Sequence, residues 1–185
     1  MNSYMFYGIL ILFILAIGIM IVYNKFVSLK NKAHNALSNI DVQLKKRYDL
    51  IPALVDTVKG YMDHERALFE HITVLRSRAQ KGNLSDEESV DINNQLSRAL
   101  GKLLVNVEAY PDLKASNNFM QLQRALTEVE EQLSASRRSY NMSVTKLNTA
   151  IESFPSNLVA NIFSFKKQSL FEATASERKT VDVEI

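Results

Sequence analysis

Apolar residues follow two regimes along this chain, continuous at its start and periodic afterwards. From Met5 to Tyr23 (MFYGILILFILAIGIMIVY) no charged side chain interrupts the run. As a helix it measures about 28 Å, close to the ~30 Å hydrocarbon core of a bilayer. Tyr4, Tyr7 and Tyr23 stand near its ends, where aromatic rings favour the headgroup region. A cleaved signal peptide would need a basic start, an apolar core of roughly 7–15 residues and a small-residue cleavage site. Residues 1–4 carry no charged side chain and Val22-Tyr23-Asn24-Lys25 is a poor cleavage site, so the run predicts an uncleaved single span. Lys25, Lys30 and Lys32 follow it closely, whereas no Lys or Arg precedes it. Positive flanks stay in the cytoplasm, which puts the short tail of residues 1–4 outside and the larger part of the chain inside.

After Asn24 the pattern becomes helical. Ala33, Leu37, Ile40 and Leu44 step by 4, 3 and 4 residues. Apolar positions resume at Ile51, Val55, Val58, Met62, Phe69 and Ile72, with Pro52 between the two sets. A proline inside a helix removes one backbone bond and costs ~3 kcal/mol. The stretch Asp41–Val55 therefore reads either as one kinked helix or, preferably, as a junction with Asp49 capping a new helix and Pro52 in its first turn. Lys81-Gly82-Asn83 ends that segment, and Ser85 with Glu88 forms a capping box for the next. Leu96, Leu100, Leu103 and Val107 give another 4-3-4 stripe. Tyr110-Pro111-Asp112 signals a turn. The last long helix carries Phe119, Leu122, Leu126, Val129, Leu133, Tyr140, Val144, Leu147, Ile151 and Phe154, and Pro155 stops it.

The fold class predicted is all-α: a transmembrane helix at 5–23, then an antiparallel four-helix bundle over 24–155, then a short irregular tail over 156–185. Asn157 to Phe165 is apolar enough to pack back on the bundle, with Phe171 adding to it. Val181, Val183 and Ile185 alternate with charges and suit a short extended segment, and residues 176–179 read as mobile. Five Gly and three Pro are few for 185 residues, which favours long helices over many strands. With no Cys, disulfides and thiolate metal sites are excluded. A net charge of +2 does not suggest nucleic-acid binding.

Charge is unevenly placed. Asn24 to Arg47 holds six basic residues and the single acid Asp41, whereas Ser85 to Ala109 is acidic. Lys45-Lys46-Arg47 lies about 33 Å beyond Tyr23 on an upright helix, several Debye lengths from any headgroup. The cluster therefore faces solvent, a neighbouring helix or a partner, and a solvated face is expected. Asp41, Lys45, Lys46, Arg47, Asp49, Arg137 and Arg138 are the candidate interaction or register residues. Ion pairs between helices are expected of Asp41, Arg47, Asp49, Arg137 and Arg138, with a polar docking surface as the functional alternative.

Catalytic motifs are missing. His64-Glu65 begins like a zinc-protease motif, but Leu68 stands where the second His belongs. His64 and His71 are seven apart and could share a helix face, but catalytic zinc wants three protein ligands. No phosphate-binding or dinucleotide-binding glycine motif occurs. Glu130-Glu131 diverge around a helix and read as solvated surface. No cofactor and no enzyme activity are expected.

These residues together resemble the LemA family of bacterial single-span membrane proteins over nearly the full chain. The resemblance rests on Asn39-Ile40-Asp41-Val42-Gln43-Leu44-Lys45, Asp49-Leu50-Ile51-Pro52, Val58-Lys59-Gly60-Tyr61 with His64-Glu65, and Ala109-Tyr110-Pro111-Asp112-Leu113-Lys114-Ala115. It continues through Arg137-Arg138-Ser139-Tyr140-Asn141, Phe154-Pro155-Ser156-Asn157-Leu158 and Phe171-Glu172-Ala173. Leu37 stands where relatives usually carry Trp, Ala53 replaces a common Asn, and Phe163-Ser164-Phe165 lacks the usual central Gly. The resemblance implies an outside N-terminus and a mostly cytoplasmic four-helix bundle, and no defined reaction.

The function expected is that of a membrane-anchored, non-catalytic bundle. It holds the bilayer through residues 5–23 and presents a surface to an unidentified cytoplasmic or membrane protein. Two alternatives are a metal-binding or enzymatic domain using the His64/His71 face, and a self-associating, membrane-organising homo-oligomer.

Overall fold

The computed structural model describes residues 3–81 and 84–171. Among them every regular element is helical: α1 (Ser3–Lys59), α2 (Arg66–Ala79), α3 (Asp86–Val107), α4 (Pro111–Lys114), α5 (Asn117–Glu152) and α6 (Ser156–Ile162), with a 3-10 turn at Asp63–Glu65 before α2. The expectation of an all-α chain with one long apolar N-terminal helix holds. The turn at Gly82-Asn83 and the extended segment at Val181, Val183 and Ile185 lie outside the described residues, as do residues 176–179. The described chain divides into two compact units: a terminal unit of residues 3–40 and 134–171, and a middle unit of residues 41–81 and 84–133.

The middle unit is built on merging apolar stripes. Ile51, Leu54, Val55 and Val58 of α1 are buried, as are Phe69, Ile72 and Leu75 of α2. All four residues of the stripe predicted on α3 (Leu96, Leu100, Leu103, Val107) are buried too. They join Leu113 of α4 and Phe119 and Leu126 of α5 in one core. Each such side chain contributes about 1.5–3 kcal/mol through removal from water. The 3.6-residue period therefore fixes both the helical state and the face that turns inward.

Pro52 does not end a helix. The stretch Asp41–Val55 is helical throughout, so the expected junction is corrected to a single helix running through the proline. Asp49 caps nothing; its carboxylate accepts from Lys45 Nζ at 3.2 Å. Pro52 has no N–H to offer the Tyr48 carbonyl four residues back. Arg76 of α2 supplies the missing donor, its Nε reaching the Tyr48 carbonyl oxygen at 2.7 Å. A charge-assisted bond of this kind offsets part of the proline's cost.

Local signals set the short elements. Ser85 Oγ accepts from the Glu88 N–H, and the Glu88 carboxylate accepts from the Ser85 N–H, the capping box read from sequence. The backbone and side-chain hydrogen bonds from Ser85 hold the Glu88 carboxyl below its ordinary range. Its contribution to the helix start is thus present at neutral pH and lost as pH falls through that lowered value. At Tyr110-Pro111 the turn signal becomes α4, with Pro111 near the start of the helix, where its missing donor costs nothing.

In the terminal unit the apolar window of α1 is exposed on all sides; none of it is buried. It is one helix long and apolar enough to cross a membrane. Beyond it, Phe26 is buried with Leu147 of α5 and with Val159 and Ala160 of α6. The stripe that follows differs by one position from expectation: Ala33, Ala36 and Ile40 are buried, whereas Leu37 is exposed. Alanine can serve there because it permits close approach; hydrophobicity alone favours the wrong neighbour.

The end of α6 is a Schellman motif. Phe165 N–H reaches the Ala160 carbonyl at 2.9 Å and Ser164 N–H the Asn161 carbonyl at 3.3 Å. The residue between helix and exit takes the left-handed conformation in such a cap, and Ser164 does so with φ 55°. That conformation favours glycine, and this chain carries serine there. Residues 165–171 then run without helical structure along α5. Asn148 Nδ2 donates to the Gln168 carbonyl at 2.8 Å, and its Oδ1 accepts the Gln168 N–H at 3.0 Å. Asn141 makes the same pair with Phe171, at 2.9 and 2.8 Å.

Candidate functional site

The polar centre of the middle unit forms around a residue that the helical period itself turns inward. Leu44, Arg47, Ile51 and Leu54 follow one another at spacings of 3, 4 and 3, so Arg47 occupies a core position of α1. Arg47 is 0% exposed, the largest fully buried side chain among the described residues. A guanidinium cannot shed its proton, so every partner must come to it.

Two other helices supply them. Arg47 Nη1 donates to Ser97 Oγ of α3 at 2.8 Å and to Glu130 Oε1 of α5 at 3.1 Å. Arg47 Nη2 donates to Asn93 Oδ1 of α3, which also accepts from the Tyr48 hydroxyl at 2.7 Å. Asn93 is itself fixed, its Nδ2 donating to the Ser89 carbonyl at 2.8 Å. The guanidinium carbon also lies 5.7 Å from the centroid of the Tyr48 ring, within cation–π range. Among the described residues Arg47 Nε finds no hydrogen-bond acceptor. Glu130 balances the charge while remaining 36% exposed, so the pair is dry at one end and wet at the other. A permanently protonated group held by an amide, a hydroxyl and a carboxylate fixes a charge.

The remaining sequence candidates separate from it. Lys45 and Asp49 form a surface pair one helical turn apart, 78% and 56% exposed. Such a pair contributes a few tenths of a kcal/mol. Lys46 is exposed. Asp41 is exposed as a residue, yet partial desolvation holds its carboxyl above the usual carboxylate range. Arg137 is half-buried; Arg138 is exposed and donates to Ser134 Oγ at 2.9 Å on its own helix. The solvated face expected of Lys45-Lys46-Arg47 thus holds for the two lysines and is corrected for Arg47. Glu130 is corrected as well, from solvated surface to the counter-charge of a buried arginine. Its position one residue after Val129, on the flank of the Leu126–Val129–Leu133 stripe, was the available signal. Asn93 and Ser97 gave a similar one, as polar residues beside the α3 stripe.

His64 lies in the 3-10 turn and His71 on α2, so they do not share one helix, and both are exposed. Among the described residues no three His, Asp or Glu side chains stand close enough to hold a metal ion.

Known proteins match the chain along its length. The family model described as LemA family matches residues 36–185, which include Arg47, Tyr48, Asn93, Ser97 and Glu130. Protein LemA of Metamycoplasma hominis is 32% identical over 178 residues, covering 94% of this chain and 81% of that protein. Magnetosome protein MamQ 2 of Paramagnetospirillum magneticum is 25% identical over 175 residues. MamQ of Magnetospirillum gryphiswaldense is 25% identical over 174. The chain spans 64% of the length of these two magnetosome proteins. With an apolar helix at one end and the matched region beginning at Ala36, the chain belongs to the LemA family.

Proposed function

We propose that this chain is a single-pass membrane protein with residues 1–4 outside, and that its helical body is a cytoplasmic four-helix bundle. In this reading the protein is non-catalytic and presents a surface to another protein at or near the membrane. The observation that carries it is the state of α1 from Met5 to Met20: apolar on every side, with each large side chain there at least 40% exposed. A helix apolar all round is stable inside a protein core or inside a bilayer, and the described residues build no core around this one. Arg47 supports the non-catalytic part, since its guanidinium is spent on joining α1, α3 and α5. Lys45 and Lys46 support the surface, being exposed and adjacent on the same helix.

The test uses the full chain in its membrane, cross-linked and co-purified beside a Lys45→Glu/Lys46→Glu variant with Arg47 left intact. Loss of specific cross-linked proteins at unchanged melting temperature is expected; recovery of the same proteins by both chains ends the docking role of this face. A cytoplasmic reporter fused after Ile185 is expected to be active. Activity only for a reporter that works outside the membrane would reverse the orientation.

A further inference from the structure

Four large apolar side chains around α6 are exposed where a water-soluble surface would bury them. Phe154 is 80% exposed, Leu158 54%, Ile162 70% and Phe163 47%. The opposite side of α6 is the one that packs inward, through Val159 and Ala160. The helix is thus apolar on two faces: Leu158 and Ile162 lie on the one turned away from Val159 and Ala160, while Phe163, still 47% exposed, meets Tyr23. A contiguous patch of this kind marks an interaction surface.

Its place along α1 says what covers it. Tyr23, the last residue of the uncharged run, has its ring centroid 4.8 Å from that of Phe163 and 5.8 Å from that of Phe165. Phe26, three residues on, stacks on Phe165 at 4.8 Å. The end of α6 is therefore docked at the exit of the span. At the other end of α6 a cleft of about 290 Å³ lies between the segment entering that helix and the exit of the span, lined mostly by Val22, Phe26, Ala150, Phe154 and Pro155. Lys25 lines the same cleft, and Lys166 follows Phe165, both exposed. Apolar rings and aliphatic tips beside exposed lysines are the composition of a helix lying in a headgroup layer, where the apolar face sinks ~5–10 Å toward the acyl chains. Cations within a Debye length of anionic headgroups add ~1 kcal/mol each.

We infer that α6 with its flanking Phe154 and Phe163 is a second membrane contact, an interfacial segment that lies in the surface of the bilayer that α1 crosses. The inference rests on the reading of residues 5–23 as a span. It assigns the patch to lipid and not to a second copy of the chain. The consequence is orientational: a span alone leaves a helix free to rotate and tilt, whereas a second contact beside its exit fixes both.

The chain has no cysteine, so one introduced cysteine is the unique labelling site. Full-length chains carrying Ile14→Cys, Leu158→Cys, Ile162→Cys or Met142→Cys, each with an environment-sensitive fluorophore, are placed in bilayers containing brominated lipid. Ile14 reports the span, Leu158 and Ile162 the patch, and Met142 an exposed point on α5 of the same unit. The expected result is loss of emission at positions 14, 158 and 162 relative to unbrominated bilayers, with position 142 unchanged and open to aqueous iodide. Quenching at 14 without quenching at 158 and 162 overturns the inference and leaves the span intact. No quenching at 14 overturns the span, and the inference with it. Labels at 158 and 162 shielded from both lipid and iodide, increasingly so at higher protein density, assign the patch to a second copy instead. Quenching at 142 as strong as at 158 also overturns it, because the contact would not be specific to α6.

Discussion

The two units are held by opposite kinds of polar chemistry. In the middle unit a charged side chain is drawn fully inside, and side chains of two other helices converge on it. In the terminal unit neutral side chains of one helix reach outward and grip the backbone of an extended segment. The first arrangement depends on which side chains meet. The second depends on spacing: Asn141 and Asn148 are seven residues apart, about 10.5 Å along a helix. Gln168 and Phe171 are three apart, about 10 Å along an extended chain. The match lets each amide form a two-bond pair, with the segment running antiparallel to α5. A buried charge makes a unit intolerant, whereas a backbone grip tolerates sequence and fails one clamp at a time.

The largest effect that would sharpen this contrast belongs to Arg47. Removing one member of a buried ion pair costs about 3–5 kcal/mol, because its partners stay buried and unpaired. Arg47→Ala removes the donors to Ser97, Glu130 and Asn93 at once, although Asn93 keeps the Tyr48 hydroxyl, and a cooperative loss approaching that order is expected in denaturant unfolding. Arg47→Met keeps most of the volume and should cost less. Glu130→Gln should cost less again, about 1–3 kcal/mol, since its carboxylate is already partly in water and the amide still accepts a bond. If Arg47→Ala unfolds with a midpoint close to that of the unaltered chain, the guanidinium is not holding the helices together and the contrast collapses.

A smaller and more local effect is expected at the clamps. Asn148→Ala removes both bonds to Gln168, at about 1 kcal/mol per bond. Amide exchange should quicken at Gln168 first, with Phe171 protected until Asn141 is also changed and with the α3 amides unaffected. Equal acceleration throughout α3 would show that the two units do not respond separately.

How far the sequence reveals these arrangements follows from what each one depends on. Helices and inward faces depend on period, and the stripe on α3 could be read residue by residue; that on α5 holds as far as Leu147, whereas Phe154, its last expected member, lies beyond the helix and is exposed. The apolar helix at residues 5–23 depends on composition alone and was equally legible. An inter-helix ion pair was legible for Arg47 as an expectation, but its neighbours Lys45 and Lys46 point to a solvated face, and neither its full burial nor its partner Glu130 can be read from them. Its partners lie 46 to 83 residues away in sequence, beyond any periodic signal. For Pro52 only the local cost is visible in a one-dimensional pattern, because the donor that offsets it arrives from α2. The clamps were invisible for a different reason. Their acceptors and donors are backbone groups, which every residue carries, so nothing in Gln168 or Phe171 announces them. Leu37 misled because hydrophobicity was used where close approach decides.

The smallest effect concerns Ser164, and it sharpens the contrast from the side of the backbone. A residue with a Cβ held in the left-handed region costs roughly 1–2 kcal/mol relative to its relaxed state, whereas glycine enters it freely. Ser164 sits there because the Schellman bonds of Phe165 and Ser164 require that turn to send the chain from α6 toward Asn148 and Asn141. Ser164→Gly should therefore stabilise the terminal unit, by about 1 kcal/mol once the greater freedom of glycine in the unfolded chain is deducted. The gain should appear as slower amide exchange at Phe165 and Gln168, with the Arg47 variants keeping their full effect in the same background. Ser164→Ala keeps the Cβ and should gain nothing, so equal stabilisation by alanine and glycine would remove the backbone explanation. If glycine instead weakens Gln168 protection, the serine contributes something that the left-handed turn does not account for, and the grip on residues 165–171 depends on side chains after all.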